Sequence, residues 1–302
     1  MKNKKTICFE IMAIILIAIF CISLTPKTLQ NDTYYTIKIG EHIVKNTDNI
    51  SDLLPWNKGL DMQDPFSWHK NLPYTYPHWL YDVGTYAIYN YGGLQGIYYA
   101  TCILSILLGL VIFAINKKIN KSTVLSFAMT IASLYCLKNF IAARAQLVTF
   151  ILFALTYFSI EQFLKTKKVR YALMLIIIPI IIANVHSAVW PFYFILYLPY
   201  IAEQLIYTII TVDYKYLYKR VHLFFRRKKL NQSEIEKEKL DLQEEKKAHK
   251  LKIEKNLGNL YKFRINKEKN IKWLILIMVI CAFTGLLTPI KDTPYTYLIK
   301  TN

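Results

Sequence analysis

The sequence predicts an all-α membrane protein: a polytopic helical bundle of about seven transmembrane helices, with a long helical first extracytoplasmic loop. Three observations lead to this fold class. Hydrophobic residues make up 54% of the 302 residues, more than a water-soluble fold usually carries. They fall in runs long enough for spanning helices, which need about 20 residues. Basic residues cluster between these runs, which is the positive-inside pattern.

The first apolar run, 7–24, follows a basic N-terminus. A secretory signal peptide begins in the same way. However, no small-x-small cleavage site follows, and Phe20 before Cys21 does not fit a lipoprotein signal. We interpret the run as an uncleaved first span with its N-terminus in the cytoplasm.

The remaining apolar residues predict the other spans. Single crossings are predicted near residues 95–115 and 272–290. Two longer apolar blocks, 122–164 and 171–211, each have basic clusters at both ends. About forty residues of helix are roughly 60 Å long, enough for two crossings of a 30 Å hydrocarbon core. If the basic clusters are cytoplasmic, each block crosses twice, and the C-terminus lies outside.

The net charge of +18 reports this topology rather than a ligand. Most lysines and arginines fall on predicted cytoplasmic segments, so no nucleic-acid partner is predicted. No Walker loop, dinucleotide fingerprint, HExxH or Cys-x-x-Cys motif appears. All five cysteines lie in or beside apolar stretches, which favours neither disulfides nor a cysteine-based metal site: Cys8, Cys21, Cys102, Cys136 and Cys281.

The segment 26–94 is the predicted extracytoplasmic catalytic loop. Loops longer than about 12–15 residues are usually functional or disordered, and the tryptophans and tyrosines of this one argue against disorder. Acidic residues and histidines are concentrated in it: Asp32, Glu41, Asp48, Asp52, Asp61, Asp64, Asp82, His42, His69 and His78.

Four of these side chains are candidates for chemistry. Asp32 stands just beyond the first span, where a carboxylate can act as a general base or merely cap a short helix. Asp64 begins an Asp-Pro-Phe-Ser turn. His78 and Asp82 are four residues apart and share a face if this stretch is helical. They are either a base with its orienting carboxylate or part of a metal site, whereas His78, with Trp79 and Tyr81, can instead belong to an aromatic belt at the membrane interface.

The turns inside the two apolar blocks are predicted to face the same side as the loop. The first turn carries Lys138, Arg144 and Gln146. An arginine at the outer boundary opposes the positive-inside bias, and its planar fork suits phosphate, although it can also simply extend to the surface. The second turn carries Asn184 and His186, which bind substrate or satisfy freed backbone groups.

The segment 213–271 is a predicted cytoplasmic insertion. Ser233-Glu234-Ile235-Glu236 has the form of a capping box, so a solvated charged helix is predicted from Ser233 to about Lys255. The arm 226–229, preceded by Leu223-Phe224-Phe225, is predicted to lie against anionic headgroups.

Taken together, these motifs resemble the GT-C superfamily of integral-membrane glycosyltransferases, in particular the bacterial branch related to protein mannosyltransferases and aminoarabinose transferases. Asp32 matches the acidic residue at the start of a long first external loop. Asp64-Pro65-Phe66-Ser67 and His78-Trp79-Leu80 match elements that often follow in the bacterial branch. Arg144-Ala145-Gln146 and Asn184-Val185-His186-Ser187 resemble an Arg-Pro-Gln turn and an Asn-x-His-Gly turn, each departing by one residue.

The resemblance covers about residues 7–210. It implies a multi-pass enzyme of the cell membrane that transfers a sugar from a polyprenyl-phosphate-linked donor to a hydroxyl-bearing acceptor on the extracytoplasmic face. It implies Asp32 as the general base, with Glu41 or Asp64 orienting the acceptor or a divalent cation. Arg144 and Lys138 are the implied phosphate-binding pair. The side chains implied to line the substrate pocket are Gln146, His78, Asp82, Asn184 and His186.

Two departures from the family matter. The chain stops about a dozen residues after its predicted seventh span, whereas family members often continue, so a truncated reading frame is expected. The charged insertion is not a family feature. Two other classes stay open. A lipid or solute transporter requires a polar path through mid-membrane. A non-catalytic membrane scaffold predicts that Asp32→Asn is silent.

Overall fold

The described part of the protein is mainly helical. The computed structural model describes residues 4–47, 49–69, 72–120, 122–211, 214–226, 231–259 and 270–300. Within these residues there is no β-strand, only one isolated antiparallel bridge between Gln63 and Pro73. The predicted all-α class is therefore confirmed. Asp48 and the basic arm from Arg227 to Lys229 lie outside the described residues.

Twelve α-helices are present in the described ranges, joined by turns and short 3₁₀ segments. In chain order they are α1 Lys4–Leu24, α2 Asn31–Asn46, α3 Trp79–Asn120, α4 Thr123–Cys136, α5 Ala145–Thr166, α6 Val169–Val185, α7 Phe192–Ile195, α8 Leu198–Thr211, α9 Tyr214–Arg226, α10 Gln232–Asn259, α11 Ile271–Cys281 and α12 Thr293–Lys300. They form two compact units, one made of Met1–Tyr197 with Lys272–Asn302 and the other of Leu198–Ile271.

Several helices are suited to a membrane. Within the described residues, four apolar helical segments are long enough to cross a bilayer, namely Ile7–Leu24, Trp79–Asn120, Ala145–Thr166 and Ser187–Ile209. Three shorter helical segments there are also apolar, namely Thr123–Cys136, Val169–Val185 and Ile271–Leu286. These segments are consistent with a membrane protein, while the count of seven spans stays a prediction.

The first unit is built around α1, α3, α4 and α5. Their buried side chains form one apolar cluster: Ala13, Ile17, Cys21, Leu108, Phe113, Leu134, Leu147 and Ile151. Gly109 permits the close approach of α1 and α3, because a Cβ there would lie 2.8 Å from the Ile17 side chain and 2.9 Å from the Cys21 sulfur. Small residues at such crossings are typical of membrane helices, where close van der Waals packing drives association.

The predicted loop 26–94 contains a helix of its own. α2 packs against the first turns of α3, and their closest point is Gly40. A Cβ on Gly40 would stand 2.1 Å from the carbonyl oxygen of Asp82, so only glycine lets the two helices pack this closely. This crossing places the N-terminal turn of α2 near the beginning of α3.

The boundary predicted between the loop and the span at 95 falls inside a helix. α3 runs from Trp79 to Asn120, and its one non-helical residue is Gly93, with φ 59° and ψ −155°. A left-handed φ is accessible to glycine without a steric penalty, so Gly93 breaks the helix direction while the chain resumes helical geometry at once. The end of the loop is thus joined directly to the apolar segment.

The segment after α11 packs onto the loop. The amide of Leu60 donates to the carbonyl of Pro289 at 3.2 Å. Ile290 is fully buried in a cluster that includes Trp79 and Tyr76 from the end of the loop. Residues near the end of the chain therefore help to fix the loop conformation.

In the second unit, α10 begins at Gln232, one residue before the Ser233 predicted from the capping box. The Glu234 carboxylate accepts a hydrogen bond from the amide of Asn231 at 3.1 Å, so this acid supports the helix start. The helix continues to Asn259, beyond the predicted end. Seven acidic and seven basic residues alternate along it, as expected for a solvated helix.

Candidate active site

One cavity gathers five of the ten side chains that the sequence singled out. Its volume is about 140 Å³, smaller than the roughly 300–1,000 Å³ of sites for drug-sized ligands and suited to a headgroup. Four chain segments meet there: the start of α2, the start of α3, the start of α5 and the turn after α6. The lining residues are Asp32, Thr36, His78, Tyr81, Arg144, Ala145, Gln146 and His186.

Two of the residues that line this cavity form an ion pair. The Arg144 Nη2 group donates to the Asp32 carboxylate, although 112 residues separate the two in sequence. The Asp32 side chain is 67% exposed and that of Arg144 is 38% exposed. Pairs this open to solvent contribute only about 0–1 kcal/mol, so a competing anion can replace the carboxylate. The Arg144 Nε group is buried and has no hydrogen-bond partner in the described part of the chain, so a donor remains available.

The start of α5 adds to the positive character of the cavity. Arg144 is the N-cap residue of α5, and Ala145 and Gln146 form its first turn. The first N–H groups of a helix and its macrodipole favour an anion at this end, and no acidic residue occupies the first turn. The Thr33 hydroxyl donates to the Ala143 carbonyl at 3.2 Å, which holds α2 against this turn. The arrangement suits a phosphate.

His78 and Asp82 form a second polar pair at the cavity. The His78 Nδ1 atom lies 2.7 Å from Asp82 Oδ1. Asp82 is fully buried in the first turn of α3, whereas His78 is 27% exposed and lines the cavity. A buried carboxylate that binds one ring nitrogen fixes the ring orientation and leaves the other nitrogen for proton transfer or hydrogen bonding. The predicted i, i+4 relation is thus present as a hydrogen bond.

His186 completes the polar wall. It lies in the turn between α6 and the next helical segment, and its ring centroid is 6.3 Å from that of His78. Its Nδ1 atom is 3.0 Å from the Thr149 hydroxyl on α5. Burial and, to a smaller extent, the neighbouring His78 ring lower the pKa of His186 to about 4. The imidazole is therefore neutral at physiological pH.

This neutrality predicts a pH dependence of stability. The folded protein keeps His186 neutral down to about pH 4, whereas an unfolded chain protonates it near 6.5. The stabilising contribution is present above pH 6.5 and is lost as the pH falls towards 4, by up to about 3 kcal/mol. His186→Gln should therefore show a smaller fall in apparent Tm than wild type over this range in detergent.

The matched control is the exposed histidine of the loop, His69. His69→Gln should keep the full pH dependence of the wild type. Equal Tm changes in wild type and His186→Gln would show that His186 does not set this part of the profile.

Asn184 was predicted to line the pocket, but the structure places it behind the cavity wall. Its Oδ1 atom accepts from the Trp79 indole at 3.1 Å, and its Nδ2 group donates to the Leu287 carbonyl at 2.9 Å. Asn184 thus joins α6, the start of α3 and the segment after α11. Its contacts position the wall and leave its amide no free side towards a substrate.

Two hydrogen bonds from Ser187 align His78 and His186. The backbone amide and the hydroxyl of Ser187 both donate to the Pro77 carbonyl, at 2.7 and 2.9 Å. Since Pro77 precedes His78 and Ser187 follows His186, this contact holds the two rings side by side. The Ser187 hydroxyl, which a glycine at this position would lack, therefore has a structural use.

Two predicted acids lie outside the cavity. Glu41 is bound by Lys38 at 2.8 Å and by Lys45 at 2.7 Å, and these hydrogen bonds lower the pKa of Glu41 to about 2. Asp64 Oδ1 accepts from the Phe66 amide at 2.9 Å and so stabilises its own turn. Neither carboxylate lines the cavity. The geometry therefore does not support their predicted role of orienting an acceptor or a cation.

The second predicted phosphate ligand also lies elsewhere. Lys138 packs over the Tyr135 ring, with its Nζ atom 4.5 Å from the centroid, and it is not among the residues that line the cavity. Among the described residues, no group of three or more His, Cys, Asp or Glu side chains is arranged to hold a metal ion. The donor set therefore does not fit a divalent cation, and no step below uses one.

Comparisons with known proteins do not extend this description. A scan against protein families, a search of curated proteins and a search of solved structures each found no match to the chain.

Proposed function

We propose that this protein is a membrane glycosyltransferase, which moves a sugar from a polyprenyl-phosphate-linked donor to an acceptor hydroxyl on the extracytoplasmic face. The observation that carries the proposal is the Asp32–Arg144 ion pair, both members of which line the same cavity. Arg144 can stabilise an anionic leaving group, and Asp32 can accept a proton from the acceptor hydroxyl. A site that transfers a group from a phosphate to a hydroxyl needs both.

The donor phosphate takes the place of the Asp32 carboxylate on Arg144. A phosphate offers more acceptor oxygens than a carboxylate, so it can also engage the buried Nε donor and the N-terminus of α5. Gln146 lines the same wall and supplies an amide to the headgroup. Donor binding thus releases Asp32 from its ion pair.

The released carboxylate then serves as the general base. The acceptor oxygen attacks the anomeric carbon, its proton passes to Asp32, and the bond from that carbon to the phosphate oxygen breaks with its electron pair on the phosphate. Arg144 stabilises the negative charge that develops there. Attack opposite the leaving group inverts the anomeric centre, by the geometry that distinguishes inverting glycosidases.

The histidine wall positions the sugar. His78 presents a nitrogen to the cavity while Asp82 holds its ring, and neutral His186 presents a second, uncharged group. A neutral imidazole such as that of His186 donates to or accepts from sugar hydroxyls without competing with Arg144 for the phosphate. Tyr81 lines the cavity beside them.

The proposed topology has seven spans, with the N-terminus in the cytoplasm and the cavity outside. The four long and three shorter apolar helical segments support this count. The start of α2, the start of α5 and the turn after α6 meet at one cavity, which agrees with their common placement on the outer face.

The test uses the full chain in nanodiscs with a panel of radiolabelled polyprenyl-phosphate sugars. We expect one donor to bind and to lose its label from the lipid, and we expect excess unlabelled polyprenyl phosphate to compete. Empty nanodiscs are the control. Binding without turnover would indicate a missing acceptor or a truncated enzyme. No binding to any donor would overturn the proposal in favour of the scaffold or transporter.

A further inference from the structure

Helix α9 in the second unit has an exposed apolar face. Leu217, Val221, Phe224 and Phe225 follow the i, i+4, i+7, i+8 spacing that places them on one side of a helix. Leu217 and Val221 are half exposed, and the two phenylalanines are exposed by 72% and 76%. Large apolar side chains that are this exposed and adjoin one another usually mark a contact surface.

The opposite side of α9 contacts α10 in the same unit. Lys219 forms an ion pair with Glu245, and Leu223 is buried. Packing within the unit therefore uses the face with Lys219 and Leu223. The apolar face points away from this contact.

The charge of α9 defines what can cover that face. The helix carries four basic residues and no acidic one, whereas α10 carries equal numbers of both. Arg220 is exposed and flanks the apolar side on the helix surface. Apolar and aromatic side chains bordered by cations are typical of helices that lie in the interface of an anionic bilayer. A protein surface would not require this excess of positive charge.

The position of α9 in the chain also favours a lipid surface. It begins five residues after the candidate spanning segment Ser187–Ile209 ends. A chain that leaves the hydrocarbon at that point is within about 18 Å of its edge when α9 begins, because five residues extend no further. The helix therefore begins close to the lipid phosphates.

We propose that α9 is an interfacial anchor, which lies in the plane of an anionic lipid surface with Leu217, Val221, Phe224 and Phe225 inserted among the acyl chains and Arg220 on lipid phosphates. The anchor is independent of the proposed transferase activity. It requires anionic lipid chemistry and does not require a sugar donor.

The test places a spin label on the full chain at Val221 and, in a separate variant, at Leu240. Both are exposed apolar residues of the same unit, but Leu240 lies on the charge-balanced helix α10. The background replaces the exposed cysteines Cys8 and Cys136 with serine. Each variant is measured in phosphatidylcholine bilayers with and without phosphatidylglycerol, using oxygen and a water-soluble nickel chelate as relaxants.

We expect the Val221 label to be relaxed mainly by oxygen in the anionic bilayer, and the Leu240 label mainly by nickel. Arg220→Gln should weaken the preference of the Val221 label for anionic lipid. Nickel accessibility at both positions would overturn the proposal. Low accessibility of the Val221 label to both relaxants would also overturn it, because a protein surface or a second copy of the chain would then cover α9.

Discussion

Asp32→Asn is expected to reduce the rate of sugar transfer by about 10²–10⁴-fold, the contribution of a general base. Asparagine has the same shape and can still accept a hydrogen bond from Arg144, so the cavity should persist. Donor affinity should stay equal to wild type or increase, because the neutral amide competes less with a phosphate for Arg144. Loss of label from the donor reports the rate, and equilibrium binding of the same donor reports the affinity.

The matched control for this variant is Asp64→Asn. Asp64 is an acid of the same loop, but it stabilises its own turn and does not line the cavity. Its replacement should leave the rate within about twofold of wild type, as is usual for a substitution outside the reacting groups. If Asp32→Asn is silent, or if both variants lose activity equally, Asp32 is not the base, and a silent result favours a scaffold.

Arg144→Ala is expected to lower the catalytic efficiency of transfer by about 10²–10³-fold, which is typical when one donor to a developing negative charge is removed. The same change should weaken donor binding, since the phosphate loses its only cationic partner among the cavity-lining residues of the described chain. The measurements are the kcat/KM for transfer and the Kd for the donor in nanodiscs.

Lys138→Ala provides the control for Arg144. Lys138 is a cation of the same turn region, six residues earlier, and it stacks on Tyr135 instead of facing the cavity. We expect transfer by this variant to be close to wild type. Equal losses in the two variants would mean that general positive charge, and not the Arg144 fork, attracts the donor. In the double variant with Asp32→Asn, the two effects should not add, because the residues contact each other.

Local spacing predicted part of the site well. His78 and Asp82 are four residues apart, and in the structure they form a hydrogen bond where α3 begins, one residue after His78. The topology argument placed Asp32, Arg144 and His186 on one side of the membrane, and they line one cavity. However, a predicted topology assigns a side of the membrane and gives no distances between residues. The ion pair of Asp32 with Arg144 could therefore not be predicted from the sequence.

Helical spacing could also have predicted the positions of Glu41 and Thr36. Lys38 and Lys45 have the i−3 and i+4 spacing of helical ion pairs with Glu41. This spacing explains why the Glu41 carboxylate binds the two lysines and does not line the cavity. Thr36 was missed, although it is four residues after Asp32 and shares its face once α2 is recognised as a helix. The loop was predicted to be helical, but the bounds of α2 were not, because Gly40 and several β-branched residues lower its helix propensity.

The segment after α11 has a practical consequence for mapping topology. Its Leu287 carbonyl holds Asn184, its Pro289 carbonyl holds Leu60, and its Thr284 hydroxyl accepts from the Trp190 indole at 3.3 Å. A reporter enzyme fused at successive truncation points would remove these partners whenever the junction precedes Thr284. Such hybrids would report the orientation of a disturbed chain, so cysteine accessibility in the full-length chain is the sounder way to assign which side each turn faces.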